Sequence, residues 1–267
     1  MIKKLLIVFV PSLLLVSIAM AGAQTDRERA GLVGPVRTVS SVTTLPTGTG
    51  ERVVSAYDAN GNELEAALYH GPASGGSLAE KSIHTYDAEG HRTATATYSG
   101  EGVLLEKTIY AYDARGNMTE IISSDDAGLI EKTTYAYDER GQPSEEVVYY
   151  AHRPGMRRFV YSYDPKGNRT QSLSYAPDGS ATKTVYTYDA KGNVTAHITY
   201  AADGSPMDKL TYTYEFDPAG NWTRQTESIC DPAPQSEQSP CTPSAQVSRT
   251  ITYESPTRTD RQAKRAK

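Results

Sequence analysis

Seven aspartates recur along the chain at nearly even spacing: Asp58, Asp87, Asp113, Asp138, Asp164, Asp189 and Asp217, separated by 29, 26, 25, 26, 25 and 28 residues. Regular carboxylates could hold a ladder of calcium ions. Two of them brought together could also act as general acid and base. A calcium ladder needs several oxygen ligands per site, as in the G-G-x-G-x-D nonapeptide, and that motif is missing. The five histidines, His70, His84, His91, His152 and His197, occupy different positions of the period and show no metal-ligand spacing. They read as surface residues or as substitutions within the repeat, His84 standing where other units carry Tyr. Neither a nucleophile elbow, nor H-E-x-x-H, nor a phosphate loop occurs. The expectation is no catalytic residue, no metal and no cofactor, and so no enzyme.

A different chemistry accounts for the aspartates. Each lies in a hexapeptide of one type: YDANGN at Tyr57, YDAEGH at Tyr86, YDARGN at Tyr112, YDERGQ at Tyr137, YDPKGN at Tyr163, YDAKGN at Tyr188 and FDPAGN at Phe216. Asp can accept from the backbone N–H two residues on, and Gly takes the positive φ that closes a type I turn with a bulge. The pairs Asp58 with Gly61, Asp87 with Gly90, Asp113 with Gly116, Asp138 with Gly141, Asp164 with Gly167, Asp189 with Gly192 and Asp217 with Gly220 are therefore read as structural turns.

Around these turns the chain alternates. Segments such as KTIYAYD, RFVYSYD and KTVYTYD place Tyr at every second position, and a second turn (SGEG, DDAG, HRPG, APDG, AADG) follows half a period later. A period near 25 residues with two strands per unit marks an all-β, antiparallel repeat sheet of spiral or solenoid type. Seven units are too few, on this reading, for the sheet to close. Counting from each Gly, one face is expected to be aromatic and aliphatic and the other rich in Thr and Ser. Tyr110, Tyr135, Tyr161, Tyr175, Tyr186 and Tyr200 are the candidate aromatic binding face, with the alternative that they are core. Tyr outnumbers Phe nineteen to three, which suits rings whose hydroxyls need partners.

Residues 1–23 have the anatomy of a secretory signal: Lys3 and Lys4, an apolar stretch from Leu5 to Met20, and Ala21-Gly22-Ala23 before Gln24. Residues 24–50 supply an N-terminal capping strand, 51–229 the seven repeats, 230–254 a disulfide loop and closing strand, and 255–267 a disordered basic tail. The export signal implies a periplasmic, cell-surface or secreted protein with no membrane span after cleavage. Cys230 and Cys241, a close pair in an exported chain, read as a disulfide. Without Lys3 and Lys4 the chain carries 25 basic against 32 acidic residues, which argues against nucleic acid as a partner. The basic residues gathered in 255–267 could touch an anionic envelope surface.

Units of the form Y-x-Y-D-x-x-G-N, followed by a Thr-containing strand and a PDG-like turn, resemble YD repeats of the Rhs type from about Val53 to Thr226. The resemblance implies a spiralling antiparallel sheet, which in long members forms a shell around a toxin domain. The Rhs self-cleavage string D-P-x-G is mimicked by DPKG at Asp164 and DPAG at Asp217, but each is the repeat's own turn with Pro at its second position. The reading is a non-enzymatic envelope or secreted scaffold that binds a glycan or an envelope protein. Alternatives are an accessory or remnant of an Rhs-type toxin system and, more remotely, an envelope-polymer hydrolase. If the tyrosines are core, replacing Tyr161 and Tyr186 together by Ala lowers the thermal midpoint. Unchanged stability would assign them to a binding surface.

Overall fold

The computed structural model describes residues 24–48, 50–71, 76–232 and 240–254. The proposed signal segment 1–23 and basic tail 255–267 lie outside the described residues. A four-residue helix, α1 (Asp26–Arg29), precedes sixteen strands: β1 (Val36–Thr44), β2 (Gly50–Tyr57), β3 (Glu63–His70), β4 (Ser77–Tyr86), β5 (Arg92–Ser99) and β6 (Leu104–Tyr112). They continue as β7 (Met118–Asp125), β8 (Gly128–Tyr137), β9 (Pro143–Tyr150), β10 (Met156–Tyr163) and β11 (Arg169–Tyr175). The last are β12 (Ala181–Tyr188), β13 (Val194–Tyr200), β14 (Pro206–Phe216), β15 (Trp222–Cys230) and β16 (Thr242–Tyr253).

All neighbours are antiparallel, and β1 pairs with β16, so the sheet is a closed barrel and not a spiral. Its closing seam runs from Thr38 opposite Thr252 to Thr44 opposite Gln246. The repeat period conveyed the strand pairing but not the closure. A twisted sheet of this length brings its two edges round, and pairing them satisfies two rows of N–H and C=O groups that a solenoid would leave bare. The segments expected to enter and to close the sheet are thus each other's partners.

Every hexapeptide forms the same turn. Gly61 N–H donates to Asp58 O at 3.1 Å and Asp58 N–H to Asn62 O at 2.9 Å, and the other six turns repeat this pair. The Asp carboxylate then organises the loop. In the third copy Asp113 accepts from the N–H groups of Arg115 and Asn117 and from Asn117 Nδ2, at 2.8–2.9 Å. These bonds to the ionised form hold the pKa of Asp113, and in the same way Asp164, below the usual value.

Directly after each turn the ladder bulges: Tyr112 opposes Met118, but Ala111 opposes Glu120. The extra residue reverses the inward parity of the following strand. It leaves a carbonyl unmatched, and a tyrosine of the next repeat caps it. Tyr86 donates to Glu63 O at 2.6 Å, Tyr112 to Arg92 O at 2.9 Å and Tyr137 to Met118 O at 2.6 Å. Tyr163 donates to Pro143 O at 2.8 Å, Tyr188 to Arg169 O at 2.7 Å and Tyr214 to Val194 O at 2.9 Å. Each repeat is stitched to its predecessor by one phenol. Replacing Tyr112, Tyr137 or Tyr163 by Phe is expected to cost about 1–2 kcal/mol apiece, the penalty of a buried carbonyl left unpaired. Chemical denaturation measures it, and the outward Tyr149→Phe should show no change.

Candidate functional site: the barrel lumen

The bulge decides which side chains face inward. The strands β6, β8, β10, β12 and β14 each send two tyrosines into the bore, whereas β2 and β4 send one each, Tyr57 and Tyr86. Beyond the bulge, hydroxyl residues follow them inward, so the expected separation of an aromatic face from a Thr/Ser face is corrected. Ser82 bonds Thr97 at 2.9 Å, Thr108 bonds Ser123 at 3.0 Å and Thr184 bonds Thr199 at 3.3 Å, cross-strand pairs that satisfy polar groups inside the barrel. The aliphatic positions Ala96, Ile122, Val147, Leu173 and Ile198 lie on the outer face.

The six candidate binding tyrosines accordingly divide. Tyr110, Tyr135, Tyr161 and Tyr186 face the interior. Tyr110 bonds Thr95 at 3.1 Å, Tyr161 donates to Glu146 at 2.6 Å, and Tyr186 packs against His197, which packs in turn against Tyr212. Burial, then the Glu146 carboxylate, raises the Tyr135 and Tyr161 phenols far above their usual range. Tyr175 and Tyr200 lie outside, paired across the strand with Arg158 and Lys183, whose charged groups sit 5.5 and 5.0 Å from the ring centres.

The hexapeptide-turn end is stoppered by residues 24–35. Thr25 and Glu28 form a capping box on α1, and Arg27 N–H donates to Gly61 O at 2.9 Å. Gly61 is required there twice over: its φ is +92°, and an added Cβ would meet Thr25 Oγ1 at 2.9 Å. Asn221, only 1% exposed, clamps the other side, accepting from Val33 N–H and donating to Val33 O at 2.9 Å. Leu32, Val36, Val39 and Tyr57 form a small apolar core beneath it.

Charges meet under this stopper. Asp26 accepts from Glu63 N–H at 3.0 Å, from Tyr86 Oη and from Arg29, and pairs with Arg92 at 3.0 Å; Arg92 also pairs with Glu63 at 3.0 Å. Burial opposes the Asp26 charge, but Arg92, Tyr86, Arg29 and the Glu63 amide outweigh it and hold its pKa at about 2. His84 sits beside this network, bonded to Thr95 at 2.9 Å with Nε2 3.6 Å from Glu63. Burial and then the Arg92 cation push its pKa down to about 4. His84 and His197 are thus interior residues.

Above the stopper a cavity of roughly 1010 Å³ runs along the barrel axis. It extends from Asn168 and Asn193, at the hexapeptide end, to Leu45, Gly50, Glu51 and His70 at the opposite rim. Its walls combine Val39, Val53, Val194 and Val247 with Tyr110, Tyr163, Tyr188, Tyr212, Tyr214 and Trp222. Besides Arg29 and Arg92, two further arginines line it: Arg169 lies 4.0 Å from the Tyr161 ring centre, and Arg249 lies 3.4 Å from that of Trp222. Sequence reasoning passed over Asp26, Glu63, Arg92, Arg169, Trp222 and Arg249. A signal existed for most of them. The first residue after each hexapeptide is Glu63, Arg92, Met118, Pro143, Arg169, Val194 and Trp222, an inward position that the repeat leaves unconstrained. Among the described residues no cluster of three or more metal-ligating side chains occurs, and the recurrent aspartates stay in separate turns. Cys230 and Cys241 are joined at the rim.

These features define a closed antiparallel barrel of tandem hairpins with an aromatic, partly charged bore. The RHS Repeat family model matches residues 163–206, which hold the hexapeptides at Tyr163 and Tyr188. No curated protein matches it. Among solved structures, a porin-like protein from Bacteroides uniformis aligns at TM-score 0.57 and 12% identity, covering 82% of this chain and 98% of that one, a likeness of fold. TcdB2-TccC3 without its hypervariable C-terminal region aligns at TM-score 0.26 and 14% identity, over 82% of this chain and 16% of that one. A porin-like protein from Bacteroides vulgatus aligns at TM-score 0.33 and 11% identity, over 82% and 98%.

The buried His84 makes stability depend on pH. Its folded pKa, about 4, lies below the unfolded value near 6.5. Its contribution is therefore intact above about pH 6.5 and lost progressively toward pH 4, where the unfolded chain alone takes up the proton. His84→Gln should remove about 2 kcal/mol of that loss, read as the difference in denaturation midpoint between pH 7 and pH 4.5. Asp26 itself titrates only below this window.

Proposed function

We propose that this protein is an exported, non-enzymatic RHS-repeat barrel of the cell envelope that binds a small ligand within its lumen. The observation that carries the reading is the axial cavity, of about 1010 Å³, walled by valines and aromatic rings with a few convergent polar groups. That composition and size are those of a ligand pocket. Export rests on the signal-like residues 1–23, and the fold likeness to a porin-like protein favours the envelope.

The outer face favours water over lipid. Lys81, Lys107, Lys132, Arg158, Lys183 and Lys209 recur there, one on every second strand. Lys81, Lys132 and Arg158 pair with Glu65, Glu120 and Glu145 at 2.5–2.6 Å. Each cation at a bilayer midplane would cost about 2–4 kcal/mol. A second reading keeps recognition on this face. The rows that pair Tyr175 with Arg158 and Tyr200 with Lys183 would then stack on the sugars of a glycan, or on an envelope protein. A role beside an Rhs-type toxin rests on the family alone.

Substitutions separate the two readings. Ala245→Trp fills the lumen, and the double change Tyr175→Ala with Tyr200→Ala strips the outer rows. Small-molecule and glycan panels, read by thermal shift on the exported chain, should give ligands that Ala245→Trp abolishes and the outer double variant retains. The reverse pattern would move the function to the outer face.

A further inference from the structure

Among the described residues Arg249 alone has two buried side-chain donor atoms left without a hydrogen-bond partner. It lies on β16 opposite Ser41 of β1, faces the cavity, and stacks on Trp222. Its Nε and Nη1 are buried with no hydrogen-bond partner, and no carboxylate lies within ion-pair distance among the described residues. Burial pushes its pKa down to about 10, with Tyr57 and Tyr214 pulling the other way, so the guanidinium remains charged at neutral pH. A buried cation with two idle donors is costly, and an anion that supplied the missing acceptors would relieve that cost.

The other charges in the cavity do not compete. Asp26 and Glu63 are held by Arg92. Glu227 accepts from Ser244 at 2.8 Å and lies opposite Ala245, four residues along β16 from Arg249, roughly 13 Å at strand spacing. Glu51 lies near His70 at the rim. At the stoppered end the acids Asp26 and Glu63 are therefore neutralised by Arg92, which leaves the Arg249 charge free there, while Glu227 and Glu51 lie toward the opposite rim. Arg169 adds a second cation, stacked on Tyr161 and without an ion pair among the described residues. Next to Arg249 the wall of β16, β1 and β2 presents Val247, Val39 and Val53, interspersed with Ser41, Thr43 and Ser55.

We infer that the lumen takes an amphiphile bearing one anionic head group, its carboxylate or equivalent accepting from Arg249 and its apolar body lying along the Val39, Val53 and Val247 wall. The inference rests on the luminal reading above and adds the chemical class of the ligand.

Decanoate and decan-1-ol, alike in chain and different in charge, are the probes. Binding is followed by calorimetry and by the fluorescence of Trp222, the chain's single tryptophan. Decanoate should bind at least about tenfold more tightly than the alcohol, the effect of one charge-assisted pair. Arg249→Gln should bring decanoate down to the alcohol's affinity without changing the alcohol, while Arg249→Lys keeps part of the preference. Thermal midpoints of both variants confirm that they fold. Equal binding of acid and alcohol, untouched by Arg249→Gln, would overturn the anionic class and leave a luminal ligand site standing. Binding of neither probe would overturn both this inference and the luminal reading.

Discussion

One hydrogen bond, repeated, carries the architecture. A bulge beyond every hexapeptide turns a carbonyl away from the strand ladder, and the next repeat's tyrosine hydroxyl fills the gap at 2.6–2.9 Å. A phenylalanine would bury as much surface and leave the carbonyl bare. That is a physical reason for tyrosine, ahead of other aromatics, in front of the aspartate. The same bulge reverses inward parity, so it also decides which residues meet inside. The turn, the bulge and the phenol form one unit, and removing any of them changes the other two.

Closure follows from strand number and twist, and the bore follows from closure. Sixteen strands enclose a space that small residues cannot fill, which in wide barrels becomes a water channel. Here one or two inward tyrosines per repeat occupy much of it, and cross-strand hydroxyl pairs such as Thr108 with Ser123 satisfy polar groups between them. The outcome is a polar, hydrogen-bonded interior surrounding a smaller apolar cavity. A solid core would need bulkier aliphatic residues facing inward. The chain places many of those outside, where Ile83 and Ile109 are each more than 40% exposed.

Much of this was legible in the sequence. The Asp and Gly of each hexapeptide specify the turn, the alternation specifies strands, and the period specifies hairpin pairing. These are local signals, and the structure carries each of them out, down to the Asn that returns two bonds to its Asp. What was hidden depends on contacts distant in sequence. The seam between β1 and β16 joins segments some two hundred residues apart, with no repeat signature at either end. Parity was misjudged because counting residues from Gly assumes an unbroken ladder, and the bulge inserts one. The stopper was hidden because Asp26 and Arg29 lie in a segment whose only local signal is a capping box.

The candidate site is legible in another sense, through failures of the repeat. Positions that build the scaffold, the Tyr, Asp and Gly, scarcely vary from unit to unit. The first residue after each hexapeptide varies freely through Glu63, Arg92, Met118, Pro143, Arg169, Val194 and Trp222. Its carbonyl is already capped by a neighbour's tyrosine wherever a later hexapeptide supplies one, so its side chain is released from structural duty. Of these seven residues all but Pro143 line the cavity, and they bring it the charges of Glu63, Arg92 and Arg169 and its largest ring, Trp222. A repeat barrel acquires chemistry where its backbone demands least of the side chain, and the variation among copies marks where that is.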